Sequence, residues 1–152
     1  MADPKLMRIM QVLATRLKTI KTVDGFNTNI GQTVERYPRV FNENECPACS
    51  LYLSSADQGG LIGTAQKTDP GVVIHASSVY VDEIAEDVAL RMLTDIHKAI
   101  EVRSSSSIPL NPDIIRQVSE VSWQIIYPEN LAGIVSLEVL YQFSYSRKYG
   151  ED

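Results

Sequence analysis

The sequence predicts an α+β domain: a mostly antiparallel β-sheet with two helices packed on one face, in the order α-β-β-β-α-β-β. Three observations predict it. Two separated segments, near residues 4–21 and 82–102, place apolar residues at helical spacing. The stretch from Val121 to Tyr145 alternates apolar and polar residues, broken once by Pro128-Glu129-Asn130. Between the two helices lie short β-type runs set apart by glycine and proline. At 152 residues the chain fits a single domain, 1–152, able to bury roughly 68–70% of its unfolded surface.

The first helix opens at Asp3-Pro4, an N-cap followed by proline at the first helical position. Leu6, Ile9, Met10, Leu13, Leu17 and Ile20 fall on one face, while Lys5, Arg8, Arg16, Lys18 and Lys21 sit mostly elsewhere. Burying those six apolar side chains contributes at most about 1.5–3 kcal/mol each, and the partner expected is a sheet. Gly25 suits the helix exit, and residues 26–33 read as loop. Val34 to Tyr37 reads as a short strand. Ala48 to Ser54 reads as a better one, with Cys49, Leu51 and Leu53 on one face and Ala48, Ser50 and Tyr52 on the other. Residues 57–70 carry Gly59, Gly60 and Gly63 and read as a long loop. Val72 to Val81 is the next strand, apolar on both faces. The second helix, Asp82 to Val102, carries the stripe Ile84, Ala85, Val88, Ala89, Met92, Leu93, Ile96 and Ile100. A Ser-rich loop at 103–112 follows, then the C-terminal hairpin and a mobile polar tail at 147–152.

Charge narrows the function. The net charge is −5. Residues 1–41 hold seven Lys/Arg against three Asp/Glu, and the rest hold seven against sixteen. Tight sequence-independent DNA binding rests on many Lys/Arg–phosphate contacts, so this balance disfavours it. No apolar run reaches the roughly 18–20 residues of a membrane span, and the N-terminal segment lacks a signal-type apolar core. Two cysteines without such a signal point to free thiols in a reducing compartment.

Chemistry-bearing patterns are sparse. Cys46-Pro-Ala-Cys49 has redox or zinc spacing, but Ser-Leu-Tyr-Leu follows where a thiolate-stabilising helix would be needed. Zinc would require two further ligands. The structural reading is one cysteine at a strand entrance and one in the core. His75, inside a predicted strand, and His97, on the apolar edge of the second predicted helix, read as packed or surface histidines. Asp82, Glu83, Glu86 and Asp87 read as acidic charge at a helix N-terminus. The alternation of Trp123, Tyr127, Tyr141, Phe143 and Tyr145 reads as a buried face rather than a base-stacking platform. No catalytic residue, cofactor or metal is expected. Leu61 and Ile62, apolar at the centre of the 57–70 segment, are the candidate subunit-interface residues.

The segment Arg36–Leu53 resembles the tail terminator proteins of long, non-contractile-tailed phages, the lambda-like group. In that family an arginine-containing stretch leads into Val-Phe, then an acidic spacer, Pro-Ala and a strand ending Tyr-Leu. Arg36, Pro38, Val40, Phe41, Glu43, Pro47, Ala48, Tyr52 and Leu53 hold those places here, and Gly25-Phe26-Asn27-Thr28 is also similar to prophage relatives. Cys46 and Cys49 stand where apolar residues are usual, and Asn42 where aspartate is common. The resemblance implies a non-enzymatic virion protein, a hexameric ring on the head-proximal end of the tail. Such a ring stops polymerisation of the tail tube protein and offers a surface to a head-completion or neck protein. DNA would pass its lumen without sequence-specific binding, and no membrane is involved. Assembly would occur in the host cytoplasm. Two other readings stay open: a different head–tail connector or tail-completion protein of related fold, and a small thiol or zinc-dependent protein using Cys46 and Cys49.

Overall fold

Leu6, Ile9, Met10, Leu13 and Leu17 recur at helical spacing, and the chain forms helix α1 over Lys5–Leu17. The computed structural model describes residues 4–62, 65–101, 117–128 and 133–148. Asp3, expected as the cap, lies outside them, and Pro4 itself occupies the N-cap position, its carbonyl accepting from the Arg8 N–H at 3.0 Å. The helix closes at Leu17, where the Thr19 and Ile20 amides bond to Arg16 and Leu17 carbonyls. Ile20 lies beyond the helix yet is fully buried.

Arg16 departs from its expected place on the polar side, being buried. Its Nη1 donates to the carbonyls of Ala99 and Ile100, each at 3.1 Å. Those carbonyls close helix α2, Ala85–Glu101. A guanidinium there satisfies groups that have no partner within the helix and complements the negative end of its dipole. One buried charge thus joins the two helices.

The segment between α1 and the sheet is tied down from both sides. Gly25 adopts φ 90°, a left-handed turn that suits glycine. Buried Asp95 of α2 accepts hydrogen bonds from the Asn27 and Thr28 amides at 3.0 and 2.8 Å and from Thr28 Oγ1 at 2.6 Å. Gly31 donates its amide to the Ile20 carbonyl at 2.9 Å. A Cβ at Gly31 would lie 2.4 Å from the Leu17 carbonyl oxygen and 2.7 Å from that of Ile20. The backbone approaches too closely there for any other residue.

Five strands follow: β1 Val34–Glu35, β2 Ala48–Ile62, β3 Ala65–Val79, β4 Gln117–Ile126 and β5 Ile134–Lys148. The sheet order is β1-β2-β3-β5-β4, with β1 parallel to β2 and every other pair antiparallel. This is the expected α+β class and element order. The segment expected as a loop at 57–70 is instead strand on both arms, with Leu61 paired to Gln66 and Ile62 to Ala65. Two local devices explain the error. The glycines at 59 and 60 fall at a β-bulge between Gln58 and Leu61, not at a turn. Pro70, lacking an N–H, falls where the β3–β5 ladder is interrupted between Thr68 and Gly71. The Ser144 hydroxyl donates to Asp69 Oδ1 at 2.6 Å within that gap. Arg147 and Lys148, expected in the tail, instead belong to β5. The Ser-rich segment 103–112, residues 149–152 and the break at 129–130 lie outside the described residues.

Both helices cover the same side of the sheet. Ile9, Leu13 and Leu17 of α1 and Met92, Ile96 and Ile100 of α2 bury themselves against Leu51, Val72, Ile74, Ala76, Leu137, Val139, Tyr141 and Phe143. Alternate residues of β5 supply the covered face, as the period of two requires. Ile84 is a correction to the helical stripe: it precedes α2 and is exposed.

Candidate assembly surface

Among the described residues, no helix lies over the other face of the sheet. Its middle is built from directly opposed residues: Ser50 with His75, Tyr52 with Val73, His75 with Glu138, Ser77 with Ser136, and Glu138 with Gln124. His75 Nδ1 lies 3.4 Å from Glu138 Oε1, and Gln124 Nε2 donates to Glu138 Oε2 at 3.0 Å. Glu138 therefore links β3, β5 and β4 across the open face. Burial and the Glu138 carboxylate both push the Tyr52 phenol above its ordinary pKa. Shallow depressions flank this network. One is lined by Pro38, Arg39, Val40, Tyr52, His75 and Glu138, bringing the segment before β2 onto the open face.

Ser77, His75 and Glu138 have the outline of a serine–histidine–carboxylate relay, with Ser77 Oγ 3.4 Å from His75 Nε2. The surroundings do not fit acyl transfer. Ser77 is buried, and its Oγ is hydrogen-bonded to Ser136 Oγ at 2.8 Å, so a substrate carbonyl has no approach to it. The arrangement works as a cross-strand clasp.

The two cysteines occupy the places expected of them. Cys46 is partly exposed just ahead of β2, and Cys49 is buried within it. Burial pushes the Cys49 thiol up to about 12, and burial followed by the Glu43 charge raises Cys46 as well. Both shifts oppose the thiolate that redox or zinc chemistry requires. Neither cysteine joins a cluster of three or more ligand-type side chains among the described residues. The acidic run before α2 also behaves structurally. Glu86 and Asp87 lie in the first turn, Glu83 pairs with Arg91 at 3.3 Å, and Glu86 accepts from the Tyr127 hydroxyl at 3.3 Å.

The aromatic alternation divides. Tyr141, Phe143 and Tyr145 are buried as expected, but Trp123 and Tyr127 are 45% and 51% exposed. The reason is position: β4 is an outer strand, and the covered face centres on β2, β3 and β5. Val121 and Ile126 are exposed beside them. Val121 sits at a bulge between Glu120 and Ser122, which bends the strand. Among the described residues the outer side of β4 is thus an unpaired edge that carries exposed Val121, Trp123 and Ile126, and such edges template pairing with another chain. The opposite edge, β1, has two residues. Leu61 and Ile62 lie on the paired arms near the end of the β2–β3 hairpin, where only their backbone is described.

Sequence reading missed the contacts of Arg16, Asp95, Glu120 and Glu138, each of which meets a partner far away in the chain. His97 contacts Glu120 directly, and Glu101 adjoins them.

The class these features define is a two-layer α+β domain: a five-stranded sheet with helices on one side and an open face and edge on the other. Solved structures share it. A chain from the virion of a native gene transfer agent particle matches with TM-score 0.55 over 91% of this chain and 95% of that one, at 8% identity. At that identity the likeness establishes the fold. No protein-family model and no curated protein matches the chain.

Proposed function

We propose that this protein is a structural component of a phage-type virion that works by binding. Its specific role in this reading is tail terminator: a homo-oligomeric, hexameric ring that caps the head-proximal end of the tail tube and receives the head-completion or neck protein. The observation that carries the reading is the fold shared, over nearly the whole length of both chains, with a component of a gene transfer agent virion. The Arg36–Leu53 resemblance narrows it to the terminator. The apolar β4 edge supports it, because a closed ring needs one surface that meets a different surface of the next copy. The β2–β3 hairpin end with Leu61 and Ile62 is the proposed second half of that contact. The acidic excess of residues 42–152 suits a lumen that lets DNA pass without adhering.

Oligomeric mass, measured alone and after mixing with tail tubes, tests the reading. A ring-sized species at the end of the tubes is expected. A strict monomer that never joins tubes overturns it. Binding to the neck protein but not to tubes would instead favour a head–tail connector. Replacing Cys46 and Cys49 by serine is expected to leave assembly intact, whereas a thiol-dependent protein would lose its function. Replacing Leu61 and Ile62 by serine is expected to reduce ring formation, and unchanged assembly would remove them from the interface.

A further inference from the structure

We propose that His97, Glu101 and Glu120 form a binding site for one divalent transition-metal ion, of which Zn²⁺ is the best fit, and that the ion clips the outer strand β4 to helix α2. The three side chains come from two elements. His97 and Glu101 are one turn apart on α2, and Glu120 reaches them from β4. Their ligand atoms all lie within 4.8 Å of one another. One imidazole and two carboxyl groups converging on one point make a donor set that a divalent ion can take. One imidazole nitrogen with carboxylate oxygens suits Zn²⁺ better than Ca²⁺, which takes six to eight oxygens.

A second observation points to a ligand independently of the cluster. Tyr141 stands directly opposite Glu120 in the β4–β5 ladder and is fully buried. Its hydroxyl has no hydrogen-bond partner among the described residues. Orphaned buried hydroxyls are uncommon, and one carried by the residue paired with Glu120 is a donor awaiting an acceptor. Once an ion draws the carboxylates together, the phenol would donate to a liganding oxygen or to a metal-bound water. That is the supporting contact a metal site ordinarily carries. Three protein ligands also leave a coordination position for water.

Titration of the chelator-stripped full chain with ZnCl₂, followed by calorimetry and thermal melting, tests the site. One equivalent of Zn²⁺ is expected to bind saturably and raise Tm, with Mn²⁺ weaker, as the divalent affinity order requires. Glu101→Gln, at the exposed end of α2, should weaken Zn²⁺ at least tenfold while leaving the apo protein folded. His97→Asn should do the same, and Tyr141→Phe should lower affinity within the roughly 10–100-fold range of supporting-shell losses. Absence of one-to-one binding overturns the proposal. So does binding that survives Glu101→Gln and His97→Asn but disappears when Cys46 and Cys49 are both serine.

Discussion

The two faces of strand β5 are separated by one residue of register and differ in almost every other respect. Val135, Leu137, Val139, Tyr141 and Phe143 are sealed under two helices, while Ser136, Glu138, Leu140 and Gln142 are half-exposed on the other side. The covered face is dry and apolar, and close packing governs it. The open face is held by a polar clasp around Glu138, and no helix among the described residues lies over it. The difference teaches where each kind of mutation should register. The covered face sets stability, and the open face with its β4 edge sets what the molecule meets.

The sharpest way to break this division is a pair of neighbouring truncations. Phe143→Ala should cost about 3–5 kcal/mol in urea unfolding, while Gln142→Ala, one residue away on the open face, should stay within about 0.5 kcal/mol. Equal costs would mean that the open face is buried in the isolated protein. Next in size is Asp95→Ala, which strips three donors of their acceptor and should cost about 2–3 kcal/mol. Hydrogen exchange should then quicken first at Asn27 and Thr28.

Alkaline pH separates the faces more gently. Cys49 and Tyr141, both on the covered face, have folded pKa values raised above their unfolded ones. Their contribution is complete below the unfolded pKa and is lost as pH rises through the folded one. Stability should therefore hold to near pH 9 and fall progressively towards pH 12. A urea midpoint unchanged across that range would contradict the burial of both groups. Smallest in stability is Val121→Ser with Trp123→Ser on the β4 edge, about 0.5 kcal/mol or less for each exposed site. Yet in the proposed function this pair should abolish joining to tail tubes in a mixing assay. Assembly at full strength would take the β4 edge out of the interface.

The covered face was readable in advance because burial imposes a period. The spacing of Ile9, Leu13 and Leu17 and the alternation of Leu137, Val139 and Tyr141 are direct consequences of which side faces the helices. Element order followed from the same periods. The readings that failed depend on neighbours that the local sequence does not contain. Gly59, Gly60 and Pro70 resemble loop punctuation until a bulge and a ladder gap give them places in strands. Trp123 alternates as correctly as Tyr141, and only the strand order makes one exposed and the other sealed. Arg16 and Asp95 look like surface charges because their partners lie 83 and 67 residues away. His97 and Glu101 show helical spacing in the sequence, but Glu120 joins them from a strand beyond the next connection, so spacing could not complete the cluster.

Position 31 draws a different kind of consequence from the fold. A single added carbon there would collide with two carbonyl oxygens that α1 and its exit have already fixed. In a library of all twenty residues at every position, this site should return glycine alone. It should do so even under selection for folding without any tail present. Positions on the β4 edge should be filtered only when assembly is demanded. Comparing the two screens would separate the residues the chain needs for itself from those it needs for company.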